Sequence, residues 1–195
     1  MIASLTLAFV LLLPPGLTAP TRDCTLDRVT ETALDERALA RFHAAVEEYV
    51  NLHRRMERAL MIDHHGAWSE EGNMDSETLA DAIRAARPQA RAGVLFRPDI
   101  ADLFRFRIGR TLWVHRYHSA DALAASPSRW RDGVPPSVND WWLGEEDSIP
   151  WPSLIWELPA LAEVLEYRIT GRHLVLVDPH ANMVVDVLEN ALPEM

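Results

Sequence analysis

The sequence predicts an α+β fold: about three helices, an irregular Trp-rich connection, and a small C-terminal three-stranded antiparallel sheet. Three observations predict it. Apolar residues recur at spacings of three and four in segments between residues 35 and 117, the period of an amphipathic helix. Residues 118–158 are broken by Pro127, Pro135, Pro136, Pro150 and Pro152, so no long helix spans them. Leu165 to Leu188 contains three short extended runs separated by turn residues. The chain has 195 residues, 48% hydrophobic and 25% charged, values of a globular domain with room for a sizeable core.

The first segment, Met1 to Thr21, carries no charged side chain, and Ile2 to Leu13 is a largely apolar run stopped by Pro14-Pro15. A bilayer-spanning helix takes about 20 residues, so the run reads as the apolar core of an export signal covering residues 1–19, with cleavage after Ala19. It lacks a preceding Arg or Lys, and Pro20 is a poor residue after a cleavage point; weak N-terminal anchoring is the alternative. Residues 20–34 read as a flexible tail and 35–195 as a single domain. Cys24 is the only cysteine, so export into an oxidising compartment gives it no internal partner. The residues before it, Thr21-Arg22-Asp23, lack the small uncharged character of a lipidation site. It reads as a free thiol.

The first helix is expected from about Asp35 to Leu60, with Leu39, Phe42, Val46, Tyr49, His53, Met56 and Leu60 on one face. His53 reads as a core histidine with its hydrogen bonds satisfied. Residues 61–74 read as a loop. Asp75 or Ser76 is expected to cap a second helix that Pro88 stops near Arg87. Pro98 is well placed to begin a third, which runs to about Tyr117. The connection from His118 to Leu158 holds five of the seven Trp (Trp130, Trp141, Trp142, Trp151 and Trp156), so it is expected to wrap over the helices with indoles as anchors. A short helix is expected from Leu158 to Val164. Three strands follow, at Leu165–Thr170, Leu174–Val177 and Met183–Leu188. Gly171-Arg172 joins the first two in a turn with Gly first, and Asp178 caps the next turn through its own backbone. The middle strand has no polar face, so both faces need cover: one from the helices, the other from the Trp-rich segment or a partner.

Charge narrows function. The formal net charge is -10, which argues against polyphosphate or anionic-membrane binding; no nucleic-acid partner and no transmembrane span in the mature chain are expected. All 19 basic residues are Arg, so Schiff-base lysine chemistry and phosphate-binding loops ending in Gly-Lys are excluded. Arg84 to Arg116 is a basic stretch, expected to face the acidic half of its own chain. There is no Gly-x-Ser-x-Gly and no dinucleotide fingerprint.

Two weaker constellations remain. His115 and His118 stand three apart at a helix end, and His64-His65 lies in a loop; these four are candidate metal ligands. Glu145, Glu146 and Asp147 lie near Trp141, Trp142 and Trp151, a candidate interaction surface or glycan-directed site within residues 130–157.

The end of the chain, "LEYRITGRHLVLVDPHANMVVDVLENALP", together with "YVNLHRRME" in the first helix, resembles a group of small exported bacterial proteins of unassigned function. Their C-terminal strand ends in Gly-Arg and leads into an apolar strand, an Asp turn and a "VVD" strand. "LVLVDP…VVDV" is also similar to the hairpin of small periplasmic proteins, some linked to nickel and cobalt homeostasis. Neither resemblance brings a catalytic residue. The favoured expectation is therefore an exported, non-catalytic protein, periplasmic or secreted and without a cofactor, that contacts an envelope component or protein partner. The alternatives are a periplasmic metal-ion binder and a glycan-directed binder or hydrolase.

Overall fold

In the computed structural model of the chain, the structure describes residues 24–62, 70–115, 135–142 and 157–193. The elements are α1 (Cys24–Leu60), α2 (Glu70–Ala86), α3 (Pro98–His115), β1 (Glu166–Thr170), β2 (His173–Asp178) and β3 (Met183–Leu188). The strands form one antiparallel sheet in the order β1-β2-β3. The α+β expectation holds.

Boundaries differ in three places. Helix α1 begins at Cys24 and not near Asp35, so most of the expected tail is helical. Leu34 is 57% exposed, and a helix turn that buries little has no apolar stripe to announce it. Helix α2 begins at Glu70, ahead of the expected cap at Asp75 or Ser76. The expected helix from Leu158 to Val164 does not form: residues 157–165 make turns. The buried Leu158, Val164 and Leu165 fix this segment by packing against the core. The signal segment, His118, Trp130, Trp151 and Trp156 lie outside the described residues.

The helix ends are chemically defined. Met61 takes φ 55°, and Ile62 N–H donates to Glu57 O while Met61 N–H donates to Arg58 O. This pair of bonds closes α1 with a Schellman motif. Helix α2 stops where Pro88 follows Arg87. Pro98 opens α3 with Asp99 in its first turn, favourable at the positive end of the helix dipole. Arg41 of α1 pairs with Asp99, its Nε donating at 2.9 Å, and so ties the two helices.

The sheet is covered on both faces. On one side Leu174, Leu176, Met183 and Val185 join a core with Phe42, Leu79, Ile83, Phe104 and Ile108 from the helices. Phe104 packs edge-on against Phe42 and Tyr167, at centroid distances of 5.2 and 6.1 Å, an arrangement aromatic rings favour. On the other side Val175, Val177, Val184 and Val187 pack against Trp142 and Val138. That answers what covers the apolar stretch Leu174–Val177 within β2. Trp142 is thus an anchor in the core and not part of an interaction surface, a correction that follows from its 2% exposure. Residues 139–142 also pair with the outer edge of β3: Asn139 N–H donates to Val184 O, and Trp142 N–H to Asn182 O. Part of that edge is thereby removed from solvent.

Two features shape the sheet. Gly171 takes φ 55° between β1 and β2, where a Cβ is disfavoured. Gly171→Ala is expected to cost roughly 1–2 kcal/mol, read as a lower urea midpoint at unchanged slope. Between β2 and β3 the register shifts from Leu176↔Asp186 to Val177↔Val184, so Val185 is an extra residue. The bulge leaves Asp186 buried, where it accepts N–H bonds from Gly93, Leu95 and Phe96 at 2.7, 2.6 and 2.7 Å and from Val187 at 2.8 Å. Burial raises the pKa of this carboxyl, and the N–H donors work against the rise.

The basic stretch reaches the C-terminal half through an ion pair and hydrogen bonds to backbone carbonyls. Arg110 pairs with Glu157 at 2.5 Å, Arg107 Nη1 donates to Glu157 O, and Arg105 Nη2 donates to Glu189 O. Arg168 pairs with Glu166 along β1.

Candidate metal centre

The described residues bring one set of reactive side chains together, and it joins α1 to the turn between β2 and β3. Tyr49, His53 and Glu57 lie four residues apart along α1 and therefore share a face. Asp178 ends β2, and His180 sits in the turn before β3. The turn is held by Asp178 itself, whose Oδ1 accepts Ala181 N–H at 2.9 Å, and by Asn182 in the left-handed region at φ 44°. Asp178 caps its turn as expected; its other oxygen faces α1.

That oxygen, Asp178 Oδ2, accepts the Tyr49 hydroxyl at 2.6 Å and a hydrogen bond from His53 Nδ1 at 2.6 Å. His53 Nε2 lies 2.6 Å from Glu57 Oε1. His180 Nδ1 lies 3.4 Å from the same Glu57 oxygen. The two imidazole rings are 5.5 Å apart, centroid to centroid. His53 and Asp178 are fully buried, whereas the Glu57 side chain is 17% exposed and that of His180 is 35% exposed. The cluster is therefore closed at its base and open at its rim. The Arg87 guanidinium stacks over the Tyr49 ring at 4.9 Å.

A carboxylate only accepts, so a histidine facing carboxylates through both nitrogens must donate from both. In this arrangement His53 is an imidazolium bridging Asp178 and Glu57. Burial alone would lower its pKa; the hydrogen bonds and charges of Asp178 and Glu57 more than offset that, and the net shift is upward. Burial and the Asp178 charge raise the Tyr49 pKa, keeping it a neutral donor. Burial lowers the Arg87 pKa, opposed by Tyr49, Asp186 and Asp178.

The sign of the stability effect follows. The unfolded histidine titrates near about pH 6.5, and the folded one higher. Its contribution is fully present below that pH and is lost as pH rises through the folded pKa. In metal-free protein, the stability difference between wild type and His53→Gln is expected to shrink from pH 6 upward. Urea titrations at several pH values measure it, and a constant difference would contradict the imidazolium.

One nitrogen from His53, one oxygen from Glu57 and one nitrogen from His180 lie within 4.8 Å of one another. Around a tetrahedral ion with bonds of about 2.0–2.2 Å, neighbouring donors stand a little over 3 Å apart. The Glu57–His180 separation already matches. The His53–Glu57 contact has to open, as it does when the proton on Nε2 leaves and a cation takes its place. Asp178 then holds His53 by Nδ1–H, the carboxylate–histidine–metal arrangement that fixes tautomer and ring direction.

The ligand candidates read from the sequence fare differently. His115 is exposed at the end of α3 and is not part of this cluster. His64, His65 and His118 lie outside the described residues, as do Trp151, Glu145 and Glu146. Trp141 is half-buried and forms an isolated bridge with Met183. Sequence reasoning missed Glu57 and His180 as candidate ligands. The available signal was a histidine on an apolar helix face with a glutamate four residues later, in "HRRME". Among the described residues no helix is long and apolar enough to cross a membrane. The chain matches no family model, no curated protein and no solved structure.

Proposed function

We propose that the protein is a non-catalytic binder of a divalent transition-metal ion, held by His53 Nε2, Glu57 Oε1 and His180 Nδ1. The single observation that carries this reading is that one ligand atom from each of these residues lies within 4.8 Å of the others, with His53 Nε2 and His180 Nδ1 both against Glu57 Oε1, at the open end of a buried Tyr49–Asp178–His53 network. Two imidazoles and one carboxylate suit zinc, nickel, cobalt or copper better than calcium or magnesium, which prefer all-oxygen shells. Asp178 is a positioning residue and not a ligand. The apolar N-terminal run supports an exported setting.

Zinc titration of the purified protein, followed by thermal unfolding, tests the proposal. Ion at a hundred times its Kd adds about 2.7 kcal/mol, and the melting temperature is expected to rise by several degrees. His180→Ala should abolish the rise while leaving the metal-free melting temperature nearly unchanged, since this ring is part-exposed. A rise that survives His180→Ala places the ion elsewhere.

A second reading, contact with a protein partner, is favoured by one observation. Phe106, Trp113 and Val114 of α3 are exposed, Trp113 by 82%, and at helical spacings of seven and eight they share a face, the kind of apolar patch that marks a contact surface. Trp113→Ser should weaken capture of an envelope partner without lowering stability.

A further inference from the structure

A tetrahedral zinc-type ion takes four donors; sites in which the protein supplies all four are closed, and sites in which it supplies three leave a position for a donor from outside. Among the described residues the chain offers three at this centre: His53, Glu57 and His180. The two polar groups behind His53 are engaged elsewhere. Asp178 Oδ1 accepts the Ala181 N–H, and its Oδ2 accepts the Tyr49 hydroxyl and His53 Nδ1–H. These bonds hold Asp178 and Tyr49 at Nδ1, across the imidazole from the Nε2 that faces Glu57. Exposure rises in the opposite direction. His53 is fully buried, and the Glu57 and His180 side chains are 17% and 35% exposed. An ion among these three atoms is gripped from the interior and reached from solvent.

We infer that an ion held here keeps one coordination position for a monodentate anion of the carboxylate type, so that the protein takes up the ion and a small acid together. This rests on the metal-binding reading of His53, Glu57 and His180. The sign of the outside donor follows from charge. A divalent ion bound by two neutral imidazoles and one carboxylate remains positive, and the ion is the largest local charge in such a site. The Asp178 carboxylate behind His53 does not cancel it, because the Arg87 guanidinium, stacked over Tyr49 at 4.9 Å, stands against the charge of Asp178. An anion arriving at the rim therefore meets net positive charge, and its oxygen completes the tetrahedron. The same geometry separates this centre from a purely structural one, which has no position to give.

Cobalt(II) is the probe, because its visible absorption reports the number and kind of its donors. Added to the purified full-length protein, it is expected to give the intense visible bands of a four-coordinate ion, and His180→Ala should lose them. Sodium azide is then titrated into the cobalt-loaded protein as the monodentate anion. It is expected to shift the visible bands saturably, one azide per cobalt, and to add an azide-to-cobalt band in the near ultraviolet. Acetate should compete with azide for the same position. The failures are distinguishable. No protein-bound cobalt spectrum, or one that survives His180→Ala, removes the ion site and this inference with it. A cobalt spectrum that depends on His180 but is unmoved by azide and acetate overturns the inference alone: the chain then closes the shell itself, for example through the second oxygen of Glu57. Azide that strips cobalt from the protein into an ultrafiltrate, without a saturable shift, overturns it as well.

Discussion

Replacing Asp178 by alanine is expected to lower the stability of the metal-free protein by about 3–5 kcal/mol, the usual cost of removing one partner of a buried ion pair. Three groups lose their acceptor together: the Tyr49 hydroxyl, His53 Nδ1–H and the Ala181 N–H. The first two are buried with no route to water. His53 limits the damage by releasing a proton and keeping Glu57 as its partner, which sets the expectation toward the lower end. Tyr49 has no such escape. Urea denaturation should show a lower midpoint with unchanged slope, since the change acts on the native state and not on the area exposed by unfolding. Asp178→Asn should cost less, because it retains one acceptor oxygen of similar shape. In the same variant zinc affinity should fall by roughly 10–100-fold, as for other outer-shell carboxylates. A loss of less than about 1 kcal/mol for Asp178→Ala would mean that the contacts at 2.6 Å contribute no more than a surface pair.

The second large effect is expected at Asp186. Hydrogen bonds to a charged group are worth roughly 1.5–3 kcal/mol each and do not add fully, so Asp186→Ala is expected to cost about 4 kcal/mol. It strips the acceptor from Gly93, Leu95 and Phe96 at once. The loss has a location as well as a size. Residues 93–96 lead into α3, and Leu95 and Phe96 are core residues, so the start of α3 should loosen with them. Amide exchange should show Gly93, Leu95 and Phe96 losing protection to a greater degree than the strands. Uniform loss across the protein would show instead that Asp186 acts only on global stability.

Some of this was legible in the sequence. The strands announced themselves because Gly171, the Asp178 turn and the apolar run Leu174–Val177 are local signals with local causes. Pro88 and Pro98 fixed one end of α2 and one of α3 for the same reason. The start of α1 was not legible, because Leu34 faces solvent and the stretch to Thr32 is rich in Thr and charged residues that favour no single element. Asp186 looked like an interruption in an apolar run; only the bulge, a property of pairing and not of composition, shows why a carboxylate belongs there. The cluster was half visible. His53 stood out on its apolar face, and Asp178 was recognised for the oxygen that caps its own turn. The other oxygen meets residues more than a hundred positions away, and that contact is set by how the hairpin packs on α1.

That separation has a temporal consequence. Glu57 and His180 are 123 residues apart. A chain made from its N-terminus therefore presents α1 long before the hairpin that completes the trio has emerged. His53 and Glu57 alone, on a single helix, make a two-donor grip that releases an ion readily. On the proposed reading, capture waits for the β2–β3 hairpin to dock, and an ion there would staple α1 to the turn between β2 and β3 across a very long loop, where such a staple restricts the unfolded chain most.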